Sequence, residues 1–395
     1  MRRPRLTYVV THPISADLLL RGQLTFMREK GFDVSVIAAP GEALERVRAR
    51  EKDVECIGLP MARDIDPRSD GVALAKLTRL LRQRKPDIVN AGTTKGGLLG
   101  MIAARAANVP VRVYLLRGLR LEALRGLKRK ILTATEVIAS ACAHEVVAVS
   151  KSLEQLAIDG NYIPKKKLLV VGEGSSNGVD IDRFRWTEEI AAEGRRRTKA
   201  LGIPEGAPIV GFVGRLTHEK GIDELLDAFE RVRVAAPNAY LLLVGGDLGD
   251  QDAAPHLVER VKKAGANVVA MGSTNEMPIY YAAMRMLVLP SFREGFPNVV
   301  LEASSMSIPT VGFRTTGVVD AIEDGVTGAL VPQGDSAAIA EKTIPYLLDE
   351  ALAKRTGAAA RARIERRFSN RAVWEAWLVY YEKKLRERGL PLPSP

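Results

Sequence analysis

Short apolar runs alternate along the whole chain with longer segments whose apolar positions repeat at a helical period. The runs are almost continuously aliphatic, which is typical of parallel strands buried on both faces, and the periodic segments between them predict covering helices. Strands are predicted at residues 6–11, 34–39, 87–90, 111–116, 145–149 and 168–171, and again at 209–213, 240–244, 267–271, 287–290, 310–313 and 329–331. Two sheets of about six strands predict two Rossmann-like α/β domains.

A glycine- and serine-rich break at residues 172–178 separates the two series of strands and predicts the hinge. Helices are predicted at 73–84, 98–107, 187–201 and 371–388. The last segment carries Trp374, Trp377, Tyr380 and Tyr381, an aromatic content that requires burial.

The composition narrows the class of protein. The chain has 395 residues, more than one typical core, with 46% hydrophobic and 27% charged residues, as expected of a globular protein. Its two cysteines, Cys56 and Cys142, are too few for a disulfide framework and fit a reducing, cytoplasmic compartment. No apolar run approaches the roughly 18 residues of a membrane span. The first eleven residues predict a strand and not a signal peptide.

Positive charge is confined to the first half. Residues 1–185 hold 32 Lys and Arg against 20 Asp and Glu, whereas the remainder holds 26 against 27. This segregation predicts that the first half faces a polyanion or an anionic membrane. In the stretch 117–130, six Lys and Arg residues alternate with leucines, a pattern that could lie on such a bilayer. A solvated helix face is the alternative.

The loops that follow the second-half strands carry the candidate chemistry, because open parallel sheets bind ligands at the carboxyl ends of their strands. In Gly214-Arg215-Leu-Thr-His-Glu-Lys220-Gly221, Arg215 can bind two phosphate oxygens and Lys220 adds a point charge before a helix. This pattern predicts a diphosphate site without a metal; two solvated cations are the alternative.

A second loop, Ser291-Phe-Arg-Glu294-Gly-Phe-Pro297, leads into a helix whose first residue is predicted to be Pro297. Glu294 lies on the loop and Glu302 more than a turn inside the helix, so the two carboxylates could bind hydroxyls at two ends of one elongated ligand. For Glu302, an ordinary helical salt bridge is the alternative. In the third loop, 317–328, Asp320 is interpreted as at most a helix cap.

Together these motifs resemble the retaining GT-B glycosyltransferases of family 4. The resemblance rests on Gly214-Arg215, Lys220-Gly221, Glu294-x7-Glu302, Gly325-Val-Thr-Gly328 and Ser176-Asn-Gly-Val-Asp180. In the first half, His12-Pro, Arg21-Gly-Gln, Gly92-Thr-Thr-Lys95-Gly-Gly, Arg117-Gly-Leu-Arg120 and Val149-Ser150 are similar to the capsular or exopolysaccharide subgroup of the CapM type.

The resemblance implies two Rossmann-like domains facing a central cleft: an acceptor-binding domain at 1–178, with the helix 371–388 crossing back to it, and a donor-binding domain at 179–370. It also implies transfer of a hexose or N-acetylhexosamine from a nucleoside diphosphate sugar, UDP preferred, with retention. Arg215 and Lys220 would neutralise the diphosphate, and Glu294 would hold the sugar. Glu302 would hold the ribose, and Gly295, Phe296 and Asn298 would offer backbone N–H groups. Met271 and Gly272 would lie by the base.

Departures from the family pattern concern the first half. Arg117 stands where many members have a histidine, and since arginine cannot act as a general base we expect it to bind a phosphate of donor or acceptor. Ser15-Ala16-Asp17 replaces paired glycines in the first loop. His12, at the end of the first strand, is the histidine we select as a candidate catalytic residue. Asp-x-Asp occurs at 64/66, 180/182 and 250/252, about as often as chance gives, so no metal or other cofactor is expected.

The leading hypothesis is therefore a cytoplasmic enzyme, peripheral to the inner face of the cell membrane, that glycosylates a polyprenyl diphosphate-linked saccharide in surface polysaccharide assembly. Two alternatives remain at this point. A nucleotide-sugar 2-epimerase would share the architecture, although four histidines supply few acid–base groups. A non-catalytic polyanion-binding protein would fit the net charge of +11, but no nucleic-acid motif with interleaved aromatics is present, and we expect no nucleic-acid partner.

Overall fold

The computed structural model describes residues 2–62, 66–119, 121, 126–245 and 254–394, which form two compact units. Unit 1 comprises Met1–Asn177 and Asn370–Pro395, and unit 2 comprises Gly178–Ser369. The boundaries predicted after residues 178 and 370 each lie one residue from those of the structure. The division falls at the end of the glycine-rich segment 172–178, where the apolar periodicity is interrupted.

Unit 1 is built on a seven-stranded sheet in which every paired strand is parallel, in the order β3-β2-β1-β4-β5-β6-β7. Its strands are β1 (Arg5–Val9), β2 (Asp33–Ala38), β3 (Glu55–Gly58), β4 (Ile88–Gly92), β5 (Val111–Leu116), β6 (Glu145–Ala148) and β7 (Leu168–Val170). Its helices are α1 (Pro13–Leu19), α2 (Gln23–Glu29), α3 (Glu42–Arg50), α4 (Pro67–Arg84), α5 (Thr94–Ala106), α6 (Gly126–Cys142), α7 (Lys151–Asp159) and α16 (Asn370–Glu387).

Six of these strands match the predicted ones to within two residues at either end, because their continuous aliphatic runs are buried on both faces. The edge strand β3 was not predicted. Its four residues include only Cys56 and Ile57 as apolar side chains, too short a pattern to be distinguished from a loop.

The C-terminal helix α16 belongs to unit 1, although residues 178–369 separate it from the rest of that unit. Trp377 and Tyr381 are buried, and the Tyr381 hydroxyl accepts a hydrogen bond from Asn90 Nδ2 on β4 at 2.6 Å. Trp374 packs on Phe26 of α2, with ring centroids 5.5 Å apart, and its indole N–H donates to Asn177 Oδ1 at 2.6 Å. The aromatic residues that required burial are therefore covered within this unit.

Unit 2 has a six-stranded sheet, also parallel at every pairing, in the order β10-β9-β8-β11-β12-β13. Its strands are β8 (Ile209–Val213), β9 (Tyr240–Val244), β10 (Val268–Met271), β11 (Met286–Leu289), β12 (Thr310–Phe313) and β13 (Gly328–Val331). Its helices are α8 (Glu188–Ala200), α9 (Ile222–Ala235), α10 (Pro255–Lys263), α11 (Met277–Ala283), α12 (Asn298–Ser305), α13 (Val318–Ala321), α14 (Ser336–Leu348) and α15 (Glu350–Arg367).

The strand order reverses once in each sheet. In unit 2 the chain moves outward from β8 through β9 to β10 and then returns to β11 on the other side of β8; in unit 1 it does the same around β1 and β4. Loops that leave the carboxyl ends of such a strand pair diverge to opposite faces, which opens a crevice between them. The loops after β8 and β11, and after β1 and β4, are therefore the places in each unit where a ligand is expected.

Candidate functional site

The loop after β8 packs directly against the loop after β11 in unit 2. A 3₁₀ turn at His218–Lys220 ends at Gly221, which has a φ of +67°. A Cβ at Gly221 would lie 2.0 Å from the carbonyl oxygen of Pro290, so only glycine allows this approach. Phe292 N donates to Glu219 O at 2.9 Å, and the rings of His218 and Phe292 stack at 5.6 Å. The two loops thus form one surface.

This packing brings Lys220 and Glu294 together. Lys220 Nζ donates to Glu294 Oε1, and the two side chains are only 24% and 14% exposed. The ammonium of the first predicted motif is therefore the counter-ion of the carboxylate of the second, at the point where the strand order reverses. A ligand that presents both a phosphate and a hydroxyl here would meet a cation and an acceptor side by side.

Arg215 lies on the same loop, exposed, one residue after Gly214. Gly214 directly follows β8, and its N–H donates to Val244 O of β9 at 2.9 Å. The Arg215 carbonyl accepts from Thr217 N at 2.9 Å, a tight turn that holds the backbone at the carboxyl edge of the sheet. The backbone of Arg215 therefore lies at the same edge of the sheet as Lys220.

The loop after β12 supports Glu294 from the other side. Glu294 N donates to Thr316 O at 3.1 Å, and Thr315 Oγ1 donates to Ser291 O at 2.9 Å. Gly317 has a φ of +76°, and a Cβ there would lie 2.6 Å from the carbonyl oxygens of Glu294 and Gly295. Sequence reasoning identified the glycine but missed both threonines, because nothing in their local pattern marks a contact with a loop 24 residues away.

Helix α12 begins at Asn298, one residue later than predicted, so Pro297 is its N-cap and not its first residue. The difference is small because a proline lacks the N–H that the first helical turn leaves without an intrahelical acceptor. Phe296 is buried, its ring centroid 5.2 Å from that of Phe368, which fixes the backbone of Gly295 and Phe296 before the helix. The Asn298 Oδ1 atom is buried without a hydrogen-bond partner in the described part of the chain.

Glu302 lies in the second turn of α12, half-buried, and contacts a tyrosine rather than a cation. Tyr281 Oη donates to Glu302 Oε2 at 2.9 Å. Burial raises the pKa of Glu302 to about 7, and the Tyr281 hydrogen bond and the positive charge of Arg183 oppose this increase. The simple helical salt bridge considered as the alternative is not what the described residues form. Tyr281 was not predicted as a partner, since it reaches Glu302 from α11.

Met271 and Gly272 end β10, next to β9. Gly245 N, at the end of β9, is 3.3 Å from Met271 O and 3.4 Å from Gly272 O. Both residues therefore lie at the carboxyl edge of the unit 2 sheet, two strands from β8. Residues 246–253, which follow Gly245, lie outside the described residues.

In unit 1, His12 follows β1 and is the N-cap of α1: its Nδ1 accepts from Ile14 N at 3.3 Å, and the side chain is exposed. Asp17, in the segment 15–17 that departs from the paired glycines, is buried and accepts from Arg46 Nε at 2.8 Å and from Arg50 Nη1 at 2.5 Å. Burial opposes the ionisation of Asp17, but these arginines outweigh it and lower its pKa. Asp17 in the departing segment 15–17 therefore has a structural role as the ion-pair partner of two arginines, which the sequence pattern did not reveal.

Arg117 follows β5 and lies against the end of β4. Its Nε would be 3.0 Å from a Cβ at Gly92, so the glycine makes room for the guanidinium. Nε and Nη1 are buried and have no hydrogen-bond partner in the part of the chain that the structure describes. Burial lowers the pKa of Arg117 to about 10. Beside it, Thr11 Oγ1 and Thr93 Oγ1 hydrogen bond at 3.0 Å, which joins the loops at the reversal of strand order.

The remaining candidates have structural roles or lie outside the described residues. Asp180 Oδ1 accepts from the backbone N–H groups of Asp182 and Arg183 and so caps a turn. Asp66 is the N-cap of α4. Asp64, Arg120, Asp250, Asp252 and residues 122–125 lie outside the described residues. Within those described, no group of three or more His, Cys, Asp or Glu side chains could hold a metal ion.

The stretch 117–130 is not surface throughout, as its interpretation as a bilayer contact required. Leu119 and Leu121 are each 1% exposed and belong to the core of unit 1, whereas Leu127 is exposed. The charge of the two units nevertheless differs strongly: unit 1 has 35 Lys and Arg against 21 Asp and Glu, and unit 2 has 23 against 26. No helix in the described ranges is long and apolar enough to cross a membrane.

Each of the two units matches a known glycosyltransferase family model. The family model of group 1 glycosyl transferases matches residues 195–363, and that of the glycosyl transferase 4-like domain matches residues 20–174. The capsular polysaccharide biosynthesis glycosyltransferase CapM of Staphylococcus aureus is 34% identical over 387 residues, which cover 98% of this chain and 99% of CapM. An Escherichia coli UDP-Gal:α-D-GlcNAc-diphosphoundecaprenol α-1,3-galactosyltransferase is 26% identical and covers 70% of each chain.

Solved structures show the same fold. Anabaena HepE, determined in complex with UDP and glucose, superimposes with a TM-score of 0.81 at 21% identity and covers 96% of this chain and all of HepE. Sucrose-phosphate synthase from Thermosynechococcus elongatus gives a TM-score of 0.80 at 20% identity, over 98% of this chain and 100% of that one. The two doubly wound sheets are those of a GT-B enzyme.

The family models and the match to CapM show that the chain is a glycosyltransferase. Within that class, the chain belongs to the group 1, family 4 glycosyltransferases, in the subgroup that contains CapM. The matches give no support to the alternatives of a nucleotide-sugar 2-epimerase or a non-catalytic polyanion-binding protein.

Proposed function

We propose that this enzyme transfers a sugar, with retention at the anomeric carbon, from a UDP-sugar to a polyprenyl diphosphate-linked saccharide during assembly of a surface polysaccharide. The observation that carries the proposal is the pairing of Lys220 with Glu294 at the strand reversal of unit 2. The cation suits the diphosphate of a sugar diphosphate, and the carboxylate on the adjacent loop can accept hydrogen bonds from the hydroxyl groups of its sugar. HepE, which has this fold, binds UDP and UDP-glucose.

The donor's diphosphate would be neutralised by Lys220 and Arg215, which leave the same loop after β8. The N–H groups of Gly295, Phe296 and Asn298, at the start of α12, would contribute positive partial charge beside them. These groups supply the charge stabilisation for which other transferases use a metal, so we propose that no metal is required.

The remaining donor contacts follow the same edge of the unit 2 sheet. Glu294 would accept hydrogen bonds from hydroxyls of the transferred sugar, and Glu302 from those of the ribose. The base would rest near Met271 and Gly272, two strands from β8. The sugar, diphosphate, ribose and base of one extended ligand would then all lie along the carboxyl edge of this sheet.

In the proposed reaction the bond between the anomeric carbon and the leaving phosphate oxygen breaks, and the acceptor hydroxyl attacks from the same face. The acceptor proton passes to the departing phosphate, so the products are UDP and the glycosylated acceptor with charge and protons balanced. Lys220 and Arg215 stabilise the negative charge that develops on the leaving group. No protein nucleophile is required, and Glu294 orients the sugar.

The acceptor proposal rests on unit 1. Its 14 excess positive charges, 35 against 21, suit an anionic diphosphate linkage and the anionic face of a membrane. The buried guanidinium of Arg117 would bind a phosphate of acceptor or donor, and His12, at the same edge of the unit 1 sheet, would contact the reacting substrates. By its name, the E. coli relative acts on a saccharide linked to diphosphoundecaprenol. We accordingly propose that the enzyme works in the cytoplasm at the membrane surface.

The test is transfer by the purified protein from a panel of UDP- and GDP-sugars to a synthetic polyprenyl diphosphate saccharide, with the anomeric configuration of the product read by NMR. We expect a UDP-sugar to be used without added metal, with retention, and Glu294→Gln to lower transfer at least a hundredfold. The matched control is Glu259→Gln, whose carboxylate forms an exposed surface pair with Lys263 in the same unit. Inversion, a metal requirement, or equal activity of both variants would refute the corresponding part of the proposal.

A further inference from the structure

A second cleft opens in unit 2 at the edge of the sheet opposite Lys220 and Glu294. It has a volume of about 790 Å³ and lies between α8, α11 and α15. Its lining includes Pro208, Arg285 and Ile308, which precede β8, β11 and β12. Because these strands are parallel, the cleft lies at their amino ends, whereas the loops of the proposed donor site leave their carboxyl ends. We call this space the amino-edge cleft.

The inner surface of the amino-edge cleft is apolar, and a half-exposed tryptophan lines it as well. The inner side chains are those of Met284, Met306 and Ile308, all of them buried. Trp186, just before α8, is 46% exposed. An indole beside an apolar surface suits a ligand with a ring, since the ring can stack on the indole while its apolar atoms leave water. The volume is within the range of about 300–1,000 Å³ that small-molecule sites occupy.

Cations outnumber carboxylates among the residues that line this cleft. They are the cations Arg185, Arg195, Arg285, Lys354 and Arg361 and the carboxylates Glu205, Glu350 and Glu365. One carboxylate serves two cations: Glu350 Oε2 is 3.3 Å from Arg285 Nη1, and its Oε1 is 2.7 Å from Lys354 Nζ. The excess of two positive charges matches a phosphate monoester, which carries a charge of about −1.5 to −2 at neutral pH.

Two residues connect the amino-edge cleft to the helix that carries Glu302. Tyr281 lines the cleft with its ring, and its hydroxyl donates to Glu302 Oε2 at 2.9 Å and lies 3.4 Å from Val299 O. Arg361 lines the cleft from α15 and donates to Ser305 O. The three partners all belong to α12. A ligand in the cleft would therefore contact the side chains that hold α12 in place.

We propose that the amino-edge cleft is a regulatory site for a phosphate monoester that carries a ring, as nucleoside monophosphates and sugar phosphates both do. The phosphate pairs with the arginines, Arg185 among them, and the ring stacks on Trp186. A ligand bound here changes donor affinity through Tyr281 and Glu302, and the donor changes the affinity for this ligand by the same factor. The binding is independent of the proposed function, whereas the coupling rests on it, because Glu302 is the proposed ribose contact.

Fluorescence of Trp186 reports binding, since it is the only tryptophan in the sequence of unit 2. The full-length protein is titrated with adenosine monophosphate, glucose 1-phosphate and inorganic phosphate. We expect a saturable change with one of the two organic phosphates, which identifies the source of the ring, at an affinity at least tenfold above that of inorganic phosphate. The affinity should be the same in Lys220→Ala, which alters the proposed donor site. Saturation by neither organic phosphate, or loss of binding in Lys220→Ala, would overturn the proposal.

Two variants of the cleft test its location. Arg185→Gln removes a cation, and Ala358→Phe fills the cleft from α15; each should weaken binding at least tenfold. The matched controls are Arg355→Gln and Ala351→Phe, at exposed positions of α15 outside the cleft, which should bind as the unaltered protein does. Binding that both cleft variants retain would overturn the assignment of the site.

Calorimetry with UDP-glucose tests the coupling. Saturation of the cleft should change the dissociation constant of UDP-glucose at least about fivefold. Tyr281→Phe keeps the ring but loses the hydroxyl, so this variant should bind the cleft ligand and no longer show the change. An unchanged UDP-glucose affinity with the cleft occupied would overturn the regulatory role. Failure of UDP-glucose to bind at all, with the fluorescence change intact, would instead refute the proposed donor and leave the ligand site standing.

Discussion

Lys220 and Glu294, 74 residues apart in the chain, form an ion pair at the point where the strand order of the unit 2 sheet reverses. The two side chains are mostly shielded from solvent, which strengthens their attraction relative to that of a surface pair. In the proposed donor complex, Lys220 would bind phosphate and Glu294 would bind sugar hydroxyls. Donor binding would therefore exchange this internal pair for contacts with the ligand.

The exchange predicts opposite effects of two substitutions on UDP, which lacks the sugar. Lys220→Ala removes a charge-assisted phosphate contact, which is typically about 1.5–3 kcal/mol, so UDP affinity should fall roughly 10- to 100-fold. Glu294→Gln releases the ammonium and should leave UDP affinity equal or higher, while transfer falls by orders of magnitude. Isothermal titration calorimetry measures both, with Lys263→Ala and Glu259→Gln as the exposed control pair. Equal loss of UDP affinity in both site variants would contradict the exchange.

The second prediction concerns Glu302 and the pH dependence of donor affinity. Its pKa is raised to about 7 by burial, and ribose hydroxyls would hydrogen bond most strongly to the ionised form. UDP-glucose affinity should therefore weaken as the pH falls from about 7.5 to 5.5, by up to tenfold per pH unit. Glu302→Gln should remove most of this slope. Calorimetry with UDP-glucose, whose diphosphate does not titrate in this range, is the measurement, and an unchanged slope in the variant would exclude Glu302 from ribose binding.

Arg117 predicts a trade-off between stability and activity. Two of its nitrogens are buried without partners, and a buried charge without a partner costs stability. Arg117→Met should raise the free energy of unfolding of the ligand-free enzyme by about 1–3 kcal/mol, yet reduce transfer at least tenfold. The control is Arg112→Met on β5, the strand that precedes Arg117: Arg112 Nε donates to Cys142 O at 2.7 Å, so the loss of this side chain should be destabilising. Chemical denaturation decides the comparison; destabilisation by Arg117→Met would show a structural role.

Glu136 predicts a fall in stability as the pH rises. Burial raises its pKa from 4.5 to about 7, against the opposing effect of the Tyr114 hydrogen bond. Below pH about 4.5 the Glu136 carboxyl is protonated in both the folded and the unfolded state. Between pH about 4.5 and 7 it ionises only in the unfolded state, so the free energy of unfolding falls. Above pH about 7 it is ionised in both states, and the folded state bears the whole cost of burying the charge. This cost is about 3 kcal/mol. Glu136→Gln should be more stable than the unaltered protein at pH 8 and similar at pH 4.5; urea unfolding at both pH values tests this.

Helix α16 predicts a large stability effect from a position remote in sequence from the rest of unit 1. Trp377→Ala removes one of the largest fully buried side chains and should destabilise unit 1 by about 3–5 kcal/mol. Val379→Ala, two residues on and exposed, should change the free energy of unfolding by less than about 0.5 kcal/mol. Urea denaturation of both variants gives the two values. Similar values would mean that α16 contributes little to the unit 1 core.

Several site features were not predictable from the sequence, for identifiable reasons. Tyr281 and Glu302 meet because α11 and α12 pack together, and no local pattern specifies that packing. Thr315 and Thr316 hold the Glu294 loop through contacts that depend on β12 lying next to β11. Pro297 was placed one residue too far into α12, within the usual uncertainty of a helix end. Asp17 was seen as a departure, but its arginine partners on α3 were not.

The chain's own pattern was enough to predict two parallel α/β sheets and the loops that carry Gly214, Lys220 and Glu294, because apolar periodicity and loop composition are local properties of neighbouring residues. It also located the break near residue 178 and the aromatic helix at the C-terminal end. Only the tertiary structure decided that Lys220 pairs with Glu294 and that Arg117 lies over Gly92. It also decided that α6 exposes Leu127, Ile131 and Ile138 to solvent. Those outcomes depend on which strands are neighbours and which helix face a core accepts, and distant segments determine both.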